Sequence, residues 1–138
     1  QCGGLNIVDP GSGELVWEKS LDNAHPIDII DGNLLIGEQD GEGDYSSLSW
    51  VSVTTGAASD AKAPKLSGSI SPFDILHAES FLYIDDADEG KLTAYPYFES
   101  ADVWSYEYDA VSSTIASFGG NLYLVDRAAG ESSLLGVK

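Results

Sequence analysis

Hydrophobic residues along the chain fall in short runs that are separated by clusters of Gly, Asp, Asn and Pro. The runs are rich in β-branched, aromatic and leucine residues, whose side chains suit a pleated strand. The clearest example is residues 103–109, where aromatic and polar residues alternate as they do in a half-buried strand. No long window has the period of an amphipathic helix. The pattern predicts an all-β chain.

The predicted strands recur with a period of about 40 to 45 residues, the length of one four-stranded propeller blade. Three segments have equivalent patterns, at 32–37, 79–84 and 120–125. Each follows another short strand, at 26–30, 72–76 and 113–118, and precedes a third, at 48–53, 92–98 and 133–138. A fourth strand is predicted at 57–66 and at 103–108, and the first pair, 5–8 and 14–18, corresponds to the outer strands of an earlier unit.

This spacing predicts antiparallel four-stranded blades of a β-propeller type in one domain, 1–138, with repeats at approximately 5–47, 48–90 and 91–138. The alternative is another antiparallel β fold, such as a sandwich. Closed propellers have about four to eight blades, so about three repeats would form a partial or open propeller. We expect the chain to be part of a larger propeller. The alternatives are self-association of copies that complete the ring and an open array with exposed end strands.

A repeated motif suggests the type of propeller. Residues 6–17 read Asn-Ile-Val-Asp-Pro-Gly-Ser-Gly-Glu-Leu-Val-Trp, which resembles the repeat of the PQQ-like (quinoprotein-type) β-propellers. The positions that match in the three copies are Asp9, Gly13 and Trp17, then Thr55 and Gly56, then Ala94 and Trp104. The second copy has Ser52 and Asp60 at the Asp and Trp positions, and the third has Pro96 and Ser100 at the Asp and Gly positions.

The motif residues have structural explanations. Asp or Ser caps the tight turn between the outer two strands, and Gly supplies a positive φ. Tryptophan is expected to pack between neighbouring blades rather than to serve as a ligand platform.

The resemblance implies two functions. Enzymes of this family bind the quinone with calcium, an Asp base and a vicinal disulfide, whereas this chain contains one cysteine. Its non-enzymatic members include the lipoprotein that assists outer-membrane β-barrel assembly and the lumenal propeller of the endoplasmic-reticulum membrane insertion complex. We therefore expect a non-catalytic protein-interaction scaffold without a cofactor, extracytoplasmic or associated with the cell envelope. The alternative is a fragment of a quinoprotein-type enzyme whose cofactor ligands lie outside this chain.

The charge limits the partners. The sequence contains 23 Asp and Glu residues against 6 Lys and Arg residues, for a net charge of -17. Nucleic acid is excluded, because binding a polyanion requires a basic surface. No apolar run is long enough to cross a bilayer. The acidity favours a halophilic source, since acidic proteins stay hydrated in high salt, or else an extracellular or lumenal domain that binds cations or a basic partner.

Two acidic loops are candidate metal sites, with calcium as the candidate cation. Their carboxylates are Asp40, Glu42 and Asp44 in one loop and Asp85, Asp86 and Asp88 in the other. Neither loop ends in the bidentate Glu of an EF-hand, and solvated turns between strands are the simpler interpretation. His25 and His77 have no partner at the spacing of a zinc site.

Two further features bear on attachment and contact. Cys2 followed by two glycines resembles the lipidated cysteine of a processed lipoprotein, although Gln1 argues against this and a free thiol is the simpler interpretation. The aromatic segment at 95–98 is a candidate protein contact surface, and its competing interpretation is a core strand interrupted by proline.

Overall fold

The computed structural model describes residues 4–21, 23–109, 113–126 and 133–137. This part of the chain is almost entirely β-structure, with one short 3₁₀ turn at Pro72–Asp74. Its strands are β1 (Gly4–Val8), β2 (Leu15–Ser20), β3 (Ala24–Ile30), β4 (Asn33–Gln39), β5 (Tyr45–Ser52), β6 (Ile75–Ala78), β7 (Phe81–Asp86), β8 (Lys91–Pro96), β9 (Trp104–Glu107), β10 (Ser113–Phe118), β11 (Asn121–Asp126) and β12 (Ser133–Val137).

The chain divides into two compact units, residues 1–69 (unit 1) and residues 70–138 (unit 2). Unit 1 contains the two-stranded sheet β1-β2 and the three-stranded sheet β3-β4-β5. Unit 2 contains the four-stranded sheet β6-β7-β8-β9 and the three-stranded sheet β10-β11-β12. All these pairings join consecutive strands in antiparallel register, as in propeller blades. The predicted fold class is confirmed.

In the two three-stranded sheets, the hairpin between the first and second strands has a glycine-containing turn. Asp31 and Gly32 between β3 and β4 both have positive φ, 46° and 75°. Gly119 and Gly120 between β10 and β11 have φ of 58° and 75°. Two consecutive positive φ values are typical of a type I′ turn, whose twist matches that of the flanking strands. These turns fix the register of β4 on β3 and of β11 on β10.

The second strands carry much of the core. In unit 1, the buried Leu34 and Ile36 of β4 pack with Val51 of β5, and Leu5 of β1 covers this cluster from the neighbouring sheet. In unit 2, buried residues of β7 and β8 pack with residues of β10 and β11 in one cluster, which comprises Tyr83, Leu92, Ala94, Ile115 and Leu122. Each unit therefore holds two of its sheets together by apolar packing.

Two strand predictions were wrong. Residues 57–66 do not form a fourth strand, because only Ala58 makes a β-bridge, to Val51, before the chain leaves the sheet. Pro64 has no N–H group for a ladder and disfavours a strand there. The strand predicted at 72–76 begins later, at Ile75, because Ser71 and Pro72 start the 3₁₀ turn instead.

The predicted division into repeats stays a prediction. The boundary between residues 47 and 48 lies within β5, and the boundary between residues 90 and 91 lies between β7 and β8.

Candidate protein-interaction surface

The first copy of the repeat motif forms a capped turn between β1 and β2. The Asp9 carboxylate accepts hydrogen bonds from the N–H groups of Gly11 and Ser12, both at 2.8 Å, and from the Ser12 hydroxyl at 3.2 Å. These bonds, with that of the Ser12 N–H contributing most, hold the pKa of Asp9 below its usual value. Gly13 follows with a φ of 72° and donates its N–H to the Asp9 carbonyl at 2.8 Å.

The tryptophan of this copy lies against the glycine of the second copy. The Trp17 indole N–H donates to the Val53 carbonyl at 2.7 Å. Its ring lies over Gly56, where an added Cβ would be 2.7 Å from Trp17 Cε3. Lys19, two residues further along β2, donates its ammonium group to the Gly56 carbonyl at 3.1 Å. Together these contacts join the two sheets of unit 1. Thr55 lies within the same turn and accepts a hydrogen bond from the Ala57 N–H at 3.3 Å.

The third copy lies in unit 2 and packs differently. Ala94 of β8 is fully buried and pairs with Trp104 of β9. The Trp104 ring packs on the ring of Tyr83, with centroids 5.9 Å apart. The turn between β8 and β9 contains no glycine, and Phe98 there takes the positive φ of 65°. Trp104 is partly buried and packs against the unit 2 core cluster.

The first acidic loop is organised by one carboxylate. Asp40 accepts hydrogen bonds from the N–H groups of Glu42 at 2.9 Å and Asp44 at 3.1 Å, and from the Ser69 hydroxyl at 2.6 Å. The Ser69 bond contributes most to lowering the pKa of Asp40. Asp40 therefore caps its own loop and ties it to the end of unit 1.

The second acidic loop places its carboxylates in different environments. Asp85 is fully buried in β7 and accepts a hydrogen bond from the Tyr108 hydroxyl. Asp86 accepts from the N–H groups of Asp88 at 3.1 Å and Glu89 at 3.0 Å, and so caps the turn to β8. Over the four described ranges, no three His, Cys, Asp or Glu side chains are grouped so that they could hold a metal ion. Calcium at either loop stays a prediction.

A hollow in unit 2 was missed by the sequence analysis. Two hairpin turns of neighbouring sheets bound a space of about 410 Å³. Its walls include His77, Glu79, Tyr83, Phe118 and Asn121. Burial raises the pKa of Tyr83, and the nearby Glu79 charge adds to this. The hollow therefore combines an aromatic rim with polar groups of different kinds.

Phe118, in the wall of the hollow, is a large apolar residue that is 79% exposed. It ends β10, directly before the Gly119-Gly120 turn. A large apolar residue next to a pair of glycines was the available signal, because a hairpin turn presents its neighbours to solvent. Without the fold, nothing showed that the β6–β7 turn lies beside it.

The aromatic segment 95–98 is half-buried. The Tyr97 ring packs on the His77 ring, with centroids 4.9 Å apart, and on the Phe98 ring at 6.2 Å. Burial raises the pKa of Tyr95, with a contribution from the charge of Asp102. The segment thus supports one side of β6 rather than projecting from it. His25 lies in β3, and Cys2 lies outside the described residues.

In the described ranges, no helix is both long and apolar enough to cross a membrane.

Comparisons with known proteins identify the fold but no family. No family model matches the sequence, and no curated protein matches it. The structure is similar to the crystal structure of BamB from Moraxella catarrhalis, a β-propeller protein, with a TM-score of 0.55 and 15% sequence identity. The match covers 96% of this chain and 46% of that chain, so this chain spans less than half of BamB. At this identity the likeness shows a β-propeller-type fold.

Proposed function

We propose that the chain is a non-catalytic protein-interaction scaffold built from PQQ-like β-propeller repeats, acting outside the cytoplasm and associated with the cell envelope. The observation that carries this proposal is the hollow of unit 2, where Phe118 is 79% exposed at the rim of a space of about 410 Å³. An exposed aromatic side chain beside a recess is typical of the anchor residues of protein interfaces.

Three further features support the proposal. The hollow is bounded by turns from two sheets, and apolar packing between those sheets holds the turns in place. The repeat motif resembles that of propellers that act by presenting loops to other proteins. The net charge of -17 favours a partner that carries a basic surface, because opposite charges steer association. Tethering through a lipid on Cys2 and self-association of copies belong to the same proposal.

The test replaces Phe118 by a photo-crosslinking phenylalanine analogue in the organism that carries the protein. Phe73 is the matched control, because it belongs to the same unit, is 87% exposed and does not line the hollow. We expect irradiation to link a specific protein at position 118 and not at position 73. Equal products at both positions, or none at position 118, would contradict the proposal.

The quinoprotein-type enzyme is tested separately. Because this alternative places the cofactor ligands outside the chain, the titration uses the native protein isolated from the organism that carries it. Addition of pyrroloquinoline quinone and calcium, followed by quinone absorbance, is expected to show no saturable change. Saturable binding would favour the enzyme fragment over the scaffold.

A further inference from the structure

The three-stranded sheet of unit 1 has an outer edge, along β5, that is only partly paired. The N–H of Ser59 donates to the carbonyl of Trp50 at 3.0 Å, and the N–H of Ser52 donates to the carbonyl of Ala57 at 2.9 Å. The backbone groups of Trp50 and Ser52 therefore face the outer edge of β5. Because these groups alternate sides along a strand, the N–H and C=O of Leu48 face the same edge. Among the residues that the structure describes, none after Ser59 pairs with β5, and no strand lies beside Leu48 at this edge.

A groove lies where the missing strand would run. It has a volume of about 480 Å³ and is lined by β5 on one side and by residues of the segment 58–66 on the other. Leu48, Trp50, Pro64 and Leu66 contribute to its walls. The first three are buried and Leu66 is half-buried. The other lining residues are mostly serines and alanines, and they include Ala63 and Lys65. Because the serine and alanine side chains are small, they leave room for the backbone of an added strand.

We propose that the edge of β5 binds an extended segment of a partner protein, which adds as a strand between Leu48 and Pro64. An open strand edge beside apolar walls matches this mode of recognition, in which the main chain supplies hydrogen bonds and alternate side chains enter the groove. The inference names one contact of the proposed scaffold function and rests on it.

Charge defines the partner segment further. Lys65 lines the groove and is exposed, and it is one of only 6 basic residues against 23 acidic ones. A positive charge at this position complements a carboxylate on the bound segment. The occupant is therefore an extended segment with apolar residues at alternate positions and one acidic residue that reaches Lys65. The rest of the partner carries the basic surface that the net charge of -17 favours.

In the test, peptides that bind the immobilised full chain are selected from a phage-displayed library of short random sequences. Peptides that also bind the Ala63→Tyr variant are removed by counter-selection. The tyrosine is designed to fill the groove, since Ala63 lines it. Ala57→Tyr is the matched control, because Ala57 is exposed and does not line the groove. Thermal melting of both variants checks that each is folded.

We expect the selected peptides to alternate apolar residues and to carry an acidic residue. Fluorescence anisotropy should show binding about tenfold weaker to Ala63→Tyr and unchanged binding to Ala57→Tyr. Lys65→Glu should weaken binding, whereas Lys62→Glu, at an exposed lysine outside the groove, should weaken it less. Hydrogen exchange of the Leu48 amide should slow in the complex. Binding through side-chain contacts alone would not protect this backbone N–H.

Three outcomes would overturn the inference. No peptide survives counter-selection, or the selected peptides leave Leu48 exchange unchanged, or light scattering shows that the chain forms a dimer that Ala63→Tyr dissociates, in which case a second copy is the occupant. Specific crosslinking at position 118 would leave the scaffold function standing in each case, because that position lies in unit 2.

Discussion

The contact between Trp17 and Gly56 predicts a large effect for a small substitution, Gly56→Ala. Gly56 has a φ of 68°, where a side chain is strained, and its added Cβ would lie 2.7, 2.9 and 3.0 Å from three atoms of the Trp17 ring. The ring cannot shift without cost, because its N–H is bonded to the Val53 carbonyl at 2.7 Å. Either the hydrogen bond from the Trp17 indole N–H breaks, or the packing between the two sheets of unit 1 is disturbed.

The magnitude follows from two separate costs. The left-handed backbone conformation costs a residue with a Cβ about 1–2 kcal/mol. Overpacking against a held ring adds about 1–3 kcal/mol. Gly13 separates these costs, because its φ is 72° and a Cβ there would meet nothing within 4 Å. We expect Gly13→Ala to lower the free energy of unfolding by about 1–2 kcal/mol and Gly56→Ala to lower it by about 2–5 kcal/mol.

The assay is urea unfolding followed by circular dichroism and fluorescence. The midpoint should shift while the slope stays constant, since the surface exposed on unfolding does not change. A Trp17→Leu background completes a double-mutant cycle. There the ring is absent, and Gly56→Ala should cost no more than Gly13→Ala.

Two results would refute this reasoning. Equal losses for Gly56→Ala and Gly13→Ala would mean that the ring does not lie over Gly56 in solution. An undiminished cost of Gly56→Ala in the Trp17→Leu background would mean that the extra cost arises elsewhere.

Three further predictions concern hydrogen bonds and charge. Tyr108→Phe removes the hydroxyl that donates to the buried Asp85 and should destabilise the protein by about 1–3 kcal/mol in thermal or urea unfolding, whereas Tyr106→Phe, at a residue 38% exposed, should change little. The lowered pKa values of Asp9 and Asp40 mean that the folded state binds these protons more weakly, so their contribution is present above the usual pKa of Asp, about 3.9, and is lost as the pH falls through the folded-state values. In acid titration, the Asp9→Asn and Asp40→Asn variants should lose less stability than the unchanged chain as the pH falls. An equal loss of stability would disprove this. The net charge of -17 predicts that molar KCl raises the melting temperature, and a flat response would exclude the halophilic interpretation.

The strands could be predicted because their signals are local. Alternating or β-branched runs bounded by turn residues located β1, β4, β7 and β10 within a few residues of their observed positions. The failure at 57–66 is also physical. Pro64 and four scattered alanines give a weak pattern. Only the loss of pairing after Ser59 shows that the segment forms a groove wall instead.

The candidate surface could be predicted less well. Phe118 and Glu79 are separated by 39 positions, and no local pattern shows that their turns bound one hollow. The aromatic segment 95–98 was chosen for its composition, yet packing against His77 half-buries it. Packing between residues that are distant in sequence decides which aromatic side chains are exposed to solvent. Composition alone does not predict that packing.

The capped turns explain why the motif predicts hairpins better than contacts between sheets. Asp86 accepts from two loop N–H groups before Gly90, whose φ is 64°, just as Asp9 does before Gly13. Yet the Asp86 turn lies between β7 and β8, whereas the Asp9 turn joins β1 and β2. The surroundings of the two glycines also differ. The Gly90 carbonyl accepts a hydrogen bond from the Tyr108 N–H at 2.9 Å, whereas nothing lies within 4 Å of the Cβ position of Gly13. The turn chemistry is therefore a local property, and a joint between sheets requires a partner such as Trp17 that only the fold brings into place.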